Sequence, residues 1–265
     1  GVSKIITAGV DVGNKFTKVV ILKDGEVVSR GNVLSSFNQM QNAKEALKQA
    51  LSAAGLKKED VSIIIATGAG KAEVTFADDT ITEIGAAARG VIKLFPWART
   101  VVDVGAEKGS ALRMDENGKV IDFALNEKCA AGTGSFLEAM ARALEVPLEE
   151  LGPLSLKGVQ AVPISAQCAV FAESEVISLI HARTPKADIA RSINEALAGR
   201  ISSMVRRVGL QKEIVLIGGM AKNHGFVRAL EGELEIKVLV PDNPDFVSAL
   251  GASLSVNSVK PDDIK

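Results

Sequence analysis

The sequence predicts an α/β chain of two related lobes, each opening with the same β-hairpin, and three observations carry that reading. The first is a repeat. Asp11-Val12-Gly13 leads into the apolar stretch Val19-Val20-Ile21-Leu22, a turn at Asp24-Gly25 and then Val27-Val28. The same order returns as Asp103-Val104-Gly105, Ser110-Ala111-Leu112-Arg113-Met114, a turn at Asn117-Gly118 and Val120-Ile121. Asp-Gly and Asn-Gly between β-prone runs are strong hairpin signals, so each copy reads as strand, Asp-x-Gly loop, strand, turn, strand. The second observation is that helical and strand patterns alternate after each copy. The third is that no low-complexity linker separates the copies. The first lobe is therefore read as 1–95 plus 245–265, and the second as 96–244.

The elements follow in order. Met40, Ala43, Leu47, Ala50, Leu51 and Ala54 recur at helical spacing, predicting a helix over 40–54, and Val61 to Ala66 is an apolar run of buried-strand type. After the second hairpin the periodicity predicts helices near 134–146, 170–182 and 188–208, a strand at 213–217, a helix at 225–232, a strand at 236–240 and a last helix near 245–256. Gly152-Pro153 and Thr184-Pro185 mark loops between the middle helices.

Composition narrows the function classes. With 265 residues, 47% of them hydrophobic, and a mean hydropathy of +0.21, the chain can bury a large core. Lys and Arg number 31 against 32 Asp and Glu, and no basic run is longer than a pair such as Arg206-Arg207, which argues against nucleic acid and anionic lipid as partners. Gly1-Val2-Ser3-Lys4-Ile5-Ile6 reads as the start of a strand rather than a leader, and no apolar run approaches the ~18 residues of a membrane span, so a cytoplasmic protein is expected. Only Cys129 and Cys168 carry thiols, and His181 and His224 stand alone. No zinc or calcium motif occurs.

An Asp-x-Gly loop between hairpin strands has two uses. Its glycine lets backbone N–H groups approach phosphate oxygens, and its carboxylate can hold hydrated Mg²⁺. One such loop alone is an ordinary turn; the repeat points to a pair that clamps ATP. Asp11 and Asp103 are thus assigned to hydrated Mg²⁺. Around Gly13, the residues Asn14, Lys15, Phe16, Thr17 and Lys18 supply donors and positive charge, and Gly105 and Ala106 form the second loop. A third element, Gly218-Gly219-Met220-Ala221-Lys222-Asn223, follows an apolar strand and lets a flat base or ribose lie against the backbone. Asp245, opening the last helix, joins this nucleotide set. Gly68-Ala69-Gly70-Lys71 lacks the upstream glycine and following Ser/Thr of a Walker loop, and Gly132-Thr133-Gly134 lacks the third glycine of a dinucleotide fingerprint.

Cys129 and Cys168 each precede a predicted helix, where free N–H groups and the macrodipole favour thiolate. A cubane iron–sulfur cluster usually takes four thiolates. One chain offers two, and a twofold dimer offers four. Buried small hydrophobes, a disulfide, or a nucleophile working with His181 are the competing readings.

The two loops and the Gly-Gly turn, in this order on a duplicated chain, resemble the actin, hexokinase and heat-shock chaperone ATPase superfamily. More narrowly, Asn126-Glu127-Lys128-Cys129-Ala130-Ala131-Gly132-Thr133-Gly134 and Gln167-Cys168-Ala169-Val170-Phe171-Ala172-Glu173-Ser174-Glu175 resemble signatures of the ATPase activators of 2-hydroxyacyl-CoA dehydratases, shared with the ATP-driving subunits of benzoyl-CoA reductase and double-cubane cluster proteins. The resemblance spans essentially the whole chain. It implies a two-lobed actin-like ATPase fold with duplicated β-hairpin/α-helix domains. It further implies a homodimer bridged by one [4Fe–4S] cluster on Cys129 and Cys168, a ferredoxin or flavodoxin donor, and an iron–sulfur acceptor protein. The second loop departs from the family. Where activators carry Asp-x-Gly-Gly-Gln-Asp, this chain has Asp103-Val104-Gly105-Ala106-Glu107-Lys108, so Glu107 stands where a glutamine orients the attacking water and Lys108 replaces an acid. That variant looks like one ATPase subunit type of benzoyl-CoA reductase, which leaves a hetero-oligomer open. A small-metabolite kinase of the same superfamily is the alternative.

Overall fold

The computed structural model describes residues 4–126, 129–164 and 168–258. Strands β1 (Ile6–Val12), β2 (Phe16–Lys23) and β3 (Glu26–Leu34) are followed by α1 (Gln39–Ala54), β4 (Ile63–Thr67), β5 (Asp79–Thr80) and α2 (Glu83–Leu94). Then come β6 (Thr100–Val104), β7 (Gly109–Met114), β8 (Val120–Asn126), α3 (Gly134–Leu144), α4 (Leu148–Ser155), α5 (Ala169–His181) and α6 (Lys186–Val208). The chain ends with β9 (Ile214–Ile217), α7 (His224–Leu234), β10 (Val238–Leu239) and α8 (Val247–Ser253). It divides into two compact units. One holds the residues up to Trp97, the turn Asp115–Val120 and the segment from Phe246 onward; the other holds Ala98–Met114 and Ile121–Asp245.

The duplication read from sequence is present in the topology. The first unit has sheet order β3-β2-β1-β4-β5 and the second β8-β7-β6-β9-β10. In each, the strand ending in the Asp-x-Gly loop pairs antiparallel with the next strand and parallel with a later one: β1 with β2 and β4, β6 with β7 and β9. The α/β class and the actin-like architecture are therefore established.

In the first unit both sheet faces are covered, which is why β2 reads as a continuous apolar run. Val19 and Ile21 join the core cluster with Ala43, Leu47 and Ala50 of α1, while Val20 and Leu22 point the other way and pack with Ala249 and Leu250 of α8. Alternation along an extended strand produces that split. Helix α8 reaches the sheet because small residues permit close approach. A Cβ at Gly251 would fall on the Ala86 carbonyl oxygen of α2, and one at Gly9 of β1 on that of Ala249. Gly251→Ala should therefore destabilise the fold by about 3 kcal/mol, the upper end of ordinary overpacking. A lower urea midpoint at unchanged slope would show it.

In the second unit α6 is the spine of the core. Its Ile189, Ile193, Leu197, Ile201 and Val205 pack with Phe136, Leu137 and Met140 of α3, Phe226 and Leu230 of α7, and Val102 and Val104 of β6.

Several expectations need correction. Gly152-Pro153 lies inside α4 rather than in a loop, with Pro153 in the last turn, where its missing N–H removes a single helical bond. Helix α2 was not predicted. The Asp24-Gly25 turn has positive φ at both residues, 53° and 83°, as a tight two-residue hairpin requires. The Asn117-Gly118 turn is longer, closed by Asp115 N–H to Lys119 O at 3.0 Å, with Asp115 Oδ1 accepting from the N–H groups of Asn117 and Lys119. The last helix is shorter than expected, flanked by the 3₁₀ turns Pro244–Phe246 and Ser255–Ser258. Among the described residues no helix is long and apolar enough to cross a membrane.

Candidate functional site

The two Asp-x-Gly loops are built alike. Gly13 N–H donates to Phe16 O at 3.0 Å and Gly105 N–H donates to Lys108 O at 2.9 Å, closing the same tight loop in each unit. Asp11 and Asp103 are buried, 6% and 4% exposed. In the parallel pairings Asp11 lies opposite Thr67 and Asp103 opposite Ile217, and each of these partners is followed by a glycine at positive φ, Gly68 at 93° and Gly218 at 91°. A Cβ on Gly68 would come within 2.7 Å of Asp11 Oδ1, and one on Gly218 within 2.6 Å of Asp103 Oδ1. Both carboxylates thus face bare backbone across the parallel strand. Gly68, set aside as a failed Walker loop, is the structural twin of Gly218. The available signal was that each ends a buried apolar strand.

In the first loop the ammonium groups of Lys15 and Lys18 lie 6.0 and 5.7 Å from the Phe16 ring centre, one aromatic platform carrying two cations. Asn14 is exposed in the loop. Thr17, expected as a phosphate donor, is instead fully buried, its Oγ1 2.9 Å from Ser35 Oγ, which donates to Gly13 O at 2.7 Å. Thr17 and Ser35 brace the loop from behind. Ser35 escaped notice because it lies outside the motif.

In the second loop Lys108 Nζ lies 3.3 Å from Asp103 Oδ2, a cation beside a buried carboxylate, while Glu107 is exposed. The loop carbonyls are held by the start of α3. Gly134 N–H donates to Gly105 O at 2.8 Å, and both the N–H and Oγ of Ser135 donate to Ala106 O at 2.7 Å.

The third element is assembled around Asp245. Gly218 N–H donates to Pro244 O at 2.9 Å, and Lys222 Nζ contacts Asp245 Oδ2 at 2.7 Å. Asp245 is 8% exposed, and its Oδ1 has no hydrogen-bond partner among the described residues. The space beside Gly219 is open. Asn223 is committed elsewhere: its Oδ1 accepts from Phe226 N–H at 2.9 Å, capping α7, and its Nδ2 donates to Asn194 Oδ1 at 3.1 Å. That cap explains the residue without a nucleotide contact.

Both cysteines are exposed and free, which removes the buried-hydrophobe and disulfide readings. Cys168 is the N-cap of α5. Cys129 does not start an α-helix as expected. It caps the 3₁₀ turn Ala130–Gly132, and Thr133 then caps α3. Asn126 holds this turn through Cys129 N–H to Oδ1 at 3.2 Å and Nδ2 to Cys129 O at 3.1 Å, and a Cβ on Gly132 would collide with the Asn126 amide. The expected motif residues Glu127, Lys128 and Gln167 lie outside the described residues. Among those described, no three metal-binding side chains converge. Beside Cys129 opens a cavity of about 620 Å³, lined among others by Asn126, Ile164, Arg200, Met204 and Arg207. Burial lowers the Arg200 pKa from its usual value, and the Cys129 charge opposes that shift.

Known proteins resemble this chain in sequence and fold. The chain is 43% identical over 248 residues, 94% of its length and 96% of the relative's, to the activator of lactoyl-CoA dehydratase of Anaerotignum propionicum. Among solved structures, component A of Acidaminococcus fermentans (R)-2-hydroxyglutaryl-CoA dehydratase is 38% identical with a TM-score of 0.91, covering 94% of this chain and 96% of that one. The activator of 2-hydroxyisocaproyl-CoA dehydratase from Clostridium difficile, solved with bound ADPNP, is 38% identical with a TM-score of 0.90, covering 97% and 98%. With residues 8–256 matching its model, the chain belongs to the BadF/BadG/BcrA/BcrD ATPase family.

Proposed function

We propose that the chain is an ATP-hydrolysing electron-transfer activator, working as a homodimer that takes electrons from a ferredoxin or flavodoxin and delivers them to an iron–sulfur 2-hydroxyacyl-CoA dehydratase or related reductase. Two exposed thiols fit two corners of a cubane, so Cys129 and Cys168 of each copy would hold a shared [4Fe–4S] cluster, which supplies one-electron redox chemistry when bound. The observation that carries the reading is the bonding of the second Asp-x-Gly loop to the start of α3, directly beyond the Cys129 turn. Movement of Gly105 and Ala106 on nucleotide turnover is thereby passed to the backbone that positions Cys129.

The remaining roles follow from chemistry. In the first unit Asp11 would hold the water shell of Mg²⁺ and Lys15 and Lys18 would neutralise phosphate charge; in the second, Asp103 would take the same part as Asp11 and Glu107 would orient the attacking water. Gly218 and Gly219 receive the nucleoside, with Lys222 fixed by Asp245. The ADPNP-bound relative supports a nucleoside triphosphate as the ligand.

Purification without oxygen, iron counting and electron paramagnetic resonance after dithionite reduction test this. About four irons per dimer and a reduced-cluster signal that changes with MgATP are expected. Iron-free protein that phosphorylates a small metabolite would make the chain a kinase instead.

A further inference from the structure

We infer that Arg200 is a positioning residue that sets the reduction potential of the metal centre at Cys129, its fixed guanidinium favouring the electron-loaded state. The inference rests on the electron-transfer reading above. Arg200 lines the same cavity as Cys129 and Asn126, on the wall formed by α6. Its guanidinium carbon lies 4.7 Å from the ring centre of Phe136, a fully buried residue in the first turn of α3. The stack fixes the charge relative to the segment that carries Cys129, and a planar guanidinium keeps its proton at any working pH. Glu195, the carboxylate on this wall, is engaged with Arg191 at 2.9 Å. Gly199, the residue immediately before Arg200, leaves the cavity open, with no neighbour within 4 Å of where a Cβ would stand.

A centre held by thiolates becomes more negative when it accepts an electron. A cation held in a partly desolvated wall beside it stabilises that state more than the oxidised one. Two copies sharing one centre bring two such arginines.

The test compares Arg200→Gln and Arg200→Lys with the parent protein, all prepared without oxygen, by iron content and by redox titration followed by electron paramagnetic resonance. Arg200→Gln should keep its iron and weaken the one-electron reduction equilibrium roughly tenfold, a potential lower by about 59 mV. Arg200→Lys, which keeps the charge and loses the planar stack, should stay close to the parent. An unmoved potential in Arg200→Gln overturns the inference while leaving the electron-transfer reading intact. It is equally overturned if Arg200→Lys shifts as far as Arg200→Gln, or if both folded variants lose iron, since packing on Phe136 then explains the residue. A parent protein without iron sinks both readings.

Discussion

Cys129→Ala protein prepared without oxygen should contain essentially no iron while binding ATP as before, and Cys168→Ala should behave in the same way. In the proposed twofold dimer each copy would contribute two thiols, so removing one kind would delete two of about four cluster ligands at once. The fold has no reason to fail. Both side chains are exposed and neither forms a disulfide, so alanine leaves no cavity. Nucleotide affinity should hold because the backbone bonds from Gly134 and Ser135 to the second loop do not involve the sulfur. Iron analysis alongside calorimetric titration with a non-hydrolysable ATP analogue reads both halves. Full iron retention in either variant would remove the cysteines from the account.

Asp103→Asn should lower MgATP hydrolysis by about 10²- to 10³-fold, the scale of losing one preorganised charge contact, and Asp11→Asn should do likewise. Asparagine keeps the shape and a carbonyl acceptor for Lys108, which lies 3.3 Å from Asp103, but no longer offers a full negative charge to hydrated Mg²⁺. Steady-state phosphate release at saturating ATP, measured across Mg²⁺ concentrations, gives the loss; an unchanged urea midpoint shows it to be functional. Activity within a few-fold of the parent would remove the carboxylates from the mechanism.

The residues visible in the sequence were those whose role is local. The Asp-x-Gly loops announce themselves through hairpin order, and Cys168 through its place before a helical run, whereas Cys129 opens a 3₁₀ turn. What was hidden depends on partners distant along the chain. Thr17 and Asn223 have the chemistry of ligands, yet Ser35 and Asn194 claim them, and only tertiary contact reveals that. Gly68 requires the β1–β4 register before it can be seen as the neighbour of Asp11. Arg200 meets Phe136 only once α6 packs on α3. Helix α4 was lost to a rule about proline that weakens in a final turn.

The tie between the second loop and α3 is written mainly in peptide groups: the oxygens of Gly105 and Ala106 accept from the amides of Gly134 and Ser135. Such a linkage belongs to the path of the chain rather than to its alphabet. A different side chain at 106 or 135 would leave the backbone donors and acceptors in place, whereas a Cβ on Gly134 would stand 3.0 Å from the Gly105 oxygen and 3.1 Å from the Met220 side chain, and proline at 134 or 135 would silence a donor. Glu107 and Lys108 can thus bring their own side-chain chemistry to the loop while the backbone bonds to α3 are made without them.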